Sequence, residues 1–383
     1  MELSLRAPDD FHVHLRQAPM LEPVVRETAR WFDRVLAMPN TVPPITTPER
    51  LVAYGDEIRR ALLPGESLTP ILVFKVVPDL DPATVDALAA AGAVGGKLYP
   101  QGVTTNSADG VADADALFPV YEAMEALDLV LEVHAELPGA FSLDREAAFL
   151  PVISRIATRF PRLRIVIEHV SSAAAVRAIH ELPPTVAATV TVHHLMLTLD
   201  DVVGGDLRPH HFCKPIAKRP EDRDAILAEV LAGNPRFFFG SDSAPHLRGE
   251  KESECGCAGV YTAPVAVPLL VELFAAHAVP LTEAEAGGGT RGVGAGGAAS
   301  ARGEADGSRG TRASAGSEPS ACASLESFLS RYGAEFYRLP LNGGRLELAR
   351  REWVVPNEVH GVVPFRAGDR LRYALSHGGT DES

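Results

Sequence analysis

Residues 129–134 read LVLEVH, and residues 164–169 read RIVIEH. Each is a short apolar run, rich in β-branched residues, that ends in an imidazole. Between them, residues 146–160 place apolar side chains at helical spacing. A run of about six such residues is too short for a helix and suits a strand covered on both faces, so the pair predicts a strand–helix–strand unit. The same alternation spans the chain. Candidate strands are residues 1–15, 35–38, 71–77, 93–98, 129–134, 164–169, 187–192 and 236–240, and helical patterns occupy 18–31, 82–91, 117–127, 146–160 and 220–232. Eight strands alternating with helices predict a (β/α)8 TIM barrel, with a doubly wound open sheet as the competing arrangement.

Composition narrows the functional classes. The chain has 383 residues, 46% of them hydrophobic, with 36 Lys+Arg against 50 Asp+Glu for a net charge of -14. That is enough apolar material for a large core, and an acidic chain without a basic stripe lacks the footprint for a nucleic-acid backbone. The opening MELSLRAPDDFHVHLRQ has neither the basic nor the apolar region of a signal peptide, and no run approaches the roughly 18 apolar residues of a membrane span. A cytoplasmic protein acting on small molecules is expected. Cys213, Cys255, Cys257 and Cys322 fit neither a disulfide framework nor a paired zinc motif, and are read as free thiols. Residues 284–323 differ from everything else: 11 Gly, 11 Ala and 5 Ser with cancelling charges. Such a stretch cannot form a core, so one barrel domain spanning 1–383 is expected to be interrupted there by a disordered insert.

The chemistry-bearing residues cluster at strand ends. In Asp10-Phe11-His12-Val13-His14-Leu15-Arg16, alternation along a strand directs His12 and His14 into one space, where they could share a metal ion. With 13 His in the chain, a pair at this spacing also arises by chance. Lys97 in GGKLYP, His134, His169, and Asp242 in GSDSAPH each fall at or just past the end of a predicted strand. In a barrel those ends share one mouth, which would gather four imidazoles, a carboxylate and an amine. An ammonium beside cations is repelled, and Lys97 as a salt-bridging lysine remains one reading. As a neutral amine that has captured carbon dioxide it becomes an anionic carbamate with an oxygen for each of two metals about 3.5 to 4 Å apart.

Taken in order, DFHVHLR, AMPNT, GGKLYP, TTNSADG, EVHAE, EHVSS, HFCKPI and GSDSAPH followed by ECGCAG closely resemble the dihydroorotases of the short, single-domain bacterial and plant type, in the amidohydrolase superfamily. The resemblance covers residues 1 to about 280 and resumes from about 325 to 374. It implies reversible cyclisation of N-carbamoyl-L-aspartate to L-dihydroorotate in pyrimidine biosynthesis, by a homodimer with two zinc ions per subunit. One ion would be held by His12, His14, carboxylated Lys97 and Asp242, the other by Lys97, His134 and His169, with a bridging hydroxide; Asp242 would also be the catalytic proton carrier. It further implies that Arg16, Asn40 and His246 grip the substrate carboxylate. Backbone groups around Cys213 and Lys214, and at Ala258 and Gly259, would read the ring amides, and Thr104 and Thr105 would sit on a mobile lid. A plant-like source would allow a plastid location. The insert departs from the typical family member, and the pairs His193-His194 and His210-His211 have no place in the family's ligand set. Two other readings stand beside this one: a hydantoin- or allantoin-type cyclic amidase, which needs no carboxylate grip, and a metal-free scaffold for a carbamoyltransferase, which would have lost ligands.

Overall fold

The computed structural model describes residues 2–254, 256–277 and 321–376. After a first strand β1 (Glu2–Arg6), eight strands pair in parallel in sequence order: β2 (Asp9–Val13), β3 (Arg34–Ala37), β4 (Thr69–Val76), β5 (Gly95–Leu98), β6 (Val130–Val133), β7 (Arg164–Ile167), β8 (Val186–Val190) and β9 (Phe237–Phe239). Strictly sequential order is incompatible with a doubly wound sheet, whose order reverses at a switch point. The two outer strands then meet. Asp242 N donates to His12 O at 2.8 Å, His14 N donates to Ser243 O at 3.0 Å, and Val13 bridges Ser243 in parallel, closing a (β/α)8 barrel. Gly240 permits the approach, since a Cβ there would stand 2.9 Å from both His12 Cβ and Thr189 Cβ.

Helices start where local chemistry fixes them. Thr47, Asp81 and Ser172 accept hydrogen bonds from the backbone N–H three residues on, and Pro48, Pro82 and Pro220 occupy first-turn positions that need no donor. The observed helices Leu21–Ala29, Pro82–Ala90, Phe118–Ala126, Arg145–Arg159 and Pro220–Leu231 fall within about one turn of the expected spans.

One expectation is corrected, and another falls mostly outside the described residues. Residues 1–15 form two strands rather than one, because the chain leaves its first sheet at Ala7-Pro8, where proline has no N–H to continue a ladder. β1 instead pairs antiparallel with β10 (Arg345–Ala349), which also pairs with β13 (Ala374–Leu375); a second small pair joins β11 (Trp353–Val354) to β12 (Arg370–Leu371). Residues 284–320 of the expected insert lie outside the described residues, and its last three residues begin the helix Ala321–Ser330.

The barrel interior is layered. Phe11, Leu36, Val73, Val130, Val166, Ala187 and Phe238 pack into one apolar cluster, stoppered by Ala334 and Tyr337 at the helix Tyr332–Phe336. Nearer the C-terminal strand ends the buried side chains become polar: Lys97, Glu132, Glu168 and Thr189 are fully enclosed. Phe11 is gripped in the stopper, stacked 4.9 Å from Tyr337 and edge-on 5.5 Å from Phe238. A Cβ at Gly333 would lie 2.3 Å from the Phe11 ring, which is already packed against Tyr337 and Phe238. Gly333→Ala is therefore expected to destabilise the fold by about 1–3 kcal/mol through overpacking, despite alanine's better helix propensity. Urea unfolding checks this: the midpoint should fall with an unchanged slope, and an unshifted midpoint refutes the packing account.

Candidate active site

The closing seam brings His12 and His14 against Asp242. Their Nε2 atoms lie 3.4 and 3.2 Å from Asp242 Oδ1, and the three residues form one group able to hold a metal ion. His169 stands beside them, its ring centroid 5.0 Å from His12 and 4.7 Å from His134. All five line one cleft at the C-terminal strand ends, together with Arg16, Asn40, Thr104, Thr105, Lys214, Ala258 and Gly259, and with Tyr99 and Ala244, which the sequence did not single out. Three of these residues take left-handed backbone conformations: φ is 65° at Arg16 and 42° at both His169 and Asp242. For non-glycine residues that costs about 1–3 kcal/mol each, a strain the surrounding barrel holds in place.

Burial governs the protonation states. It pushes the pKa of His14 down to about 4 against the pull of Asp242, and that of His134 down against Glu136. His169 is driven well below the usual imidazole range by burial and by His134. These rings are neutral and keep a lone pair to donate. His12 differs: burial and Lys97 oppose its protonation, but Glu168 and Asp242 outweigh them and raise its pKa to about 9. Burial would raise the pKa of Asp242, yet His12, His14 and His169 hold it well below the carboxylate range. Around His12, then, Glu168 and Asp242 outweigh Lys97, an environment that suits a divalent cation.

Lys97 lies beneath the cleft, fully buried, its Nζ without a hydrogen-bond partner among the described residues. The nearest carboxylate oxygen, Glu168 Oε1, is 3.8 Å away, and the Tyr99 ring centroid is 5.5 Å from Nζ. Burial lowers its pKa from the lysine range in spite of Glu168 and Glu132. An amine that readily gives up its proton is what capture of carbon dioxide requires. Neutral imidazoles, an ionised aspartate, this amine and a His169 Nδ1 without a hydrogen-bond partner among the described residues together fit a metal centre.

Around the donors the remaining predicted residues take distinct places. Arg16 Nε donates to Pro245 O at 2.8 Å, and its Nη2 lies 2.9 Å from His246 Nε2. Asn40 Oδ1 sits 2.9 Å from His14 Nδ1, while its Nδ2 donates to Thr105 O at 3.3 Å, tying the loop of Thr104 and Thr105 to the rim. Lys75 anchors the same loop from below through Asn106 O and Asp109. Cys213 is a buried free thiol that donates to Pro215 O at 3.1 Å. His194 Nε2 lies 3.0 Å from the same oxygen, whereas neither nitrogen of His193 has a hydrogen-bond partner among the described residues.

Sequence reading missed the carboxylates that orient the imidazoles. Glu168 Oε2 is 2.7 Å from His12 Nδ1 and accepts from Thr189, and Glu136 Oε2 is 2.8 Å from His134 Nε2. A signal existed, since Glu136 follows His134 by two residues in EVHAE and Glu168 directly precedes His169 in RIVIEH. Alternation alone would direct Glu168 and His169 apart; the positive φ at His169 brings both to the interior end of the cleft.

Comparison with known proteins agrees with this geometry. A family model described as Amidohydrolase matches residues 68–256. The dihydroorotase of Azoarcus sp. (strain BH72) is 38% identical over 383 residues, covering 98% of this chain and 99% of that protein. The crystal structure of dihydroorotase from Campylobacter jejuni superposes with a TM-score of 0.81 at 35% identity, covering 98% of both chains. The L-hydantoinase of Arthrobacter aurescens shares the fold at a TM-score of 0.70 but only 17% identity, over 97% of this chain and 82% of that one.

The buried imidazoles have a measurable consequence for stability. His194 has its pKa pushed down to about 4 by burial and Lys218, against about 6.5 when unfolded. Between those values the unfolded chain binds a proton that the folded one does not, so stability at this residue is full above pH 6.5 and is lost as pH falls toward 4, by up to about 3 kcal/mol. In His194→Gln, unfolding free energy measured in urea from pH 7 to 4 should fall less steeply, by about one proton's worth of slope. An unchanged slope would contradict the assignment.

Proposed function

The chain belongs to the dihydroorotases, within the amidohydrolases, and from that premise we propose that its cleft interconverts N-carbamoyl-L-aspartate and L-dihydroorotate for pyrimidine synthesis, with two zinc ions bound. The observation that carries the reading is the meeting, in one cleft, of the His12, His14, His134, His169 and Asp242 side chains with Arg16, which His246 contacts from behind the lining. His12, His14 and Asp242 would hold one ion and His134 and His169 the other, with Lys97, carboxylated, shared between them. Bound there, the ions supply Lewis acidity and bring the pKa of water toward neutrality.

The chain's own groups do the rest. Arg16 offers its guanidinium to the substrate carboxylate, a charge-assisted pairing that tolerates no neutral substitute, and His246 and Asn40 stand beside it. Backbone groups at Cys213 and Lys214, and at Ala258 and Gly259, face the ring amides, and the Thr104 and Thr105 loop covers the cleft and excludes water. Asp242, kept ionised by His12 and His14, takes the proton of the attacking water and delivers it to the departing ring nitrogen, which is too basic to leave as an anion. The same carboxyl returns the proton during closure. The subunits would act as a homodimer in the cytoplasm.

A hydantoin-type activity would use the donors but has no need of Arg16. Arg16→Met is therefore expected to lower kcat/KM for dihydroorotate by about 100-fold or more, as loss of a charge-assisted pair does. Unchanged turnover would turn the reading toward another cyclic amide. Lys97→Ala should lower bound metal, measured by elemental analysis, and cut dihydroorotate hydrolysis by at least about 1,000-fold, with partial recovery on adding short carboxylic acids. Full activity without such additives would refute the shared role of Lys97. Ring closure consumes a proton as a carboxylate becomes an amide, so the equilibrium ratio of ring to open chain should fall about tenfold per pH unit near neutrality. A pH-independent ratio is incompatible with the reaction.

A further inference from the structure

Lys251 is a buried cation that no step above uses. It ends the short helix Arg248–Lys251, is 4% exposed, and has no carboxylate partner among the described residues. Its ammonium instead donates to three backbone carbonyls: Cys257 O at 2.9 Å, Phe212 O at 3.2 Å, and Gly259 O. Three convergent carbonyl oxygens repel one another, and an ammonium is the one side-chain group with three donors radiating from a single atom. Those carbonyls belong to the two segments that bring Lys214, Ala258 and Gly259 to the wall of the cleft. Gly259 N also donates to Phe212 O at 2.9 Å, so the segments are stitched to each other as well as to Lys251.

Peptide planarity gives the clasp its consequence. In a trans peptide the C=O and the following N–H point in opposite directions. Holding the carbonyls of Phe212 and Cys257 on the ammonium therefore aims the N–H groups of Cys213 and Ala258 away from it. We propose that Lys251 is a positioning residue for ring recognition, fixing through three carbonyls the backbone donors that read the substrate's amides. This rests on the cleft binding dihydroorotate as proposed above. Without the ammonium, each of the three carbonyls gives up that bond at once, Phe212 O keeping only its bond from Gly259 N, and the cheapest relief is rotation of those peptide planes, which carries the N–H groups with them.

Backbone contacts to the ring amides exist both before and during reaction, so their loss raises KM and spares kcat. In Lys251→Met, KM for dihydroorotate is expected to rise about tenfold or more, with kcat within about threefold and bound metal unchanged. Amide hydrogen exchange should quicken in residues 212–214 and 257–260 and stay slow in the barrel strands. Lys251→Arg separates geometry from charge and serves if the methionine variant fails to fold: its planar fork keeps the charge but cannot meet three convergent oxygens, so KM should rise there too. A folded variant with wild-type KM and wild-type exchange in both segments overturns the proposal. A wild-type protein inert toward dihydroorotate would instead sink the functional reading, and the exchange comparison would still decide whether Lys251 clasps the two segments.

Discussion

The seam between β9 and β2 is the constraint on which the rest depends. A barrel of eight short strands has no edge to spare, and here the last strand reaches the first through a few backbone hydrogen bonds at His12, His14, Asp242 and Ser243. Asp10 reinforces the join: its carboxylate accepts from Ser241 N at 2.8 Å, Ser241 Oγ at 2.5 Å and His12 N at 3.1 Å. Asp10 is buried, and burial raises its pKa to about 7 even against those donors. Because the seam carries His12, His14 and Asp242, closing the fold and assembling the donors are one event.

Below the cleft the barrel accepts a second expense, a set of ionisable groups sealed from water. Lys97, Glu132 and Glu168 are each fully enclosed, and Glu132 has its pKa raised to about 8 by burial and by Glu168, with Tyr337 donating to it at 3.0 Å. A purely apolar interior would be more stable. What this layer provides is orientation, with Glu168 on His12, Glu136 on His134 and Asn40 on His14, and second partners of this kind fix which ring nitrogen remains available as a ligand. The net charge of -14 sits on a protein whose proposed substrates are anions, so attraction must be local, from Arg16 and the cations that the donors suit.

Much of this was legible in the residues. LVLEVH and RIVIEH announce strands by their apolar, β-branched runs, and a histidine that ends each run marks the mouth, because parallel strands present their C-terminal ends together. Thr47, Asp81 and Ser172 announce helix starts through their side-chain oxygens. Other features left no such mark. Residues 1–15 look continuous, and only the pairing of β1 with a strand some 340 residues away, at Arg345–Ala349, separates β1 from the barrel. Glu168 was hidden because alternation assigns it to the face opposite His169, and a left-handed turn at one residue defeats alternation. Tyr99 and Lys251 were not singled out at all; nothing local tells a lysine that it will meet three carbonyls.

The sequence by itself determined the order and kind of most elements, which follow from periodicity, capping chemistry and residue type acting over a few positions. The family and the expected donor side chains came from the resemblance of its motifs. Only the tertiary structure decided the distances among His12, His14, Asp242 and His169, the neutrality of His14, His134 and His169, the lack of a hydrogen-bond partner for the Lys97 amine among the described residues, and the clasp on Lys251. Those depend on which distant segments the closing seam brings together and on how completely that closure excludes water, and neither burial nor electrostatic coupling is a property that a residue carries alone.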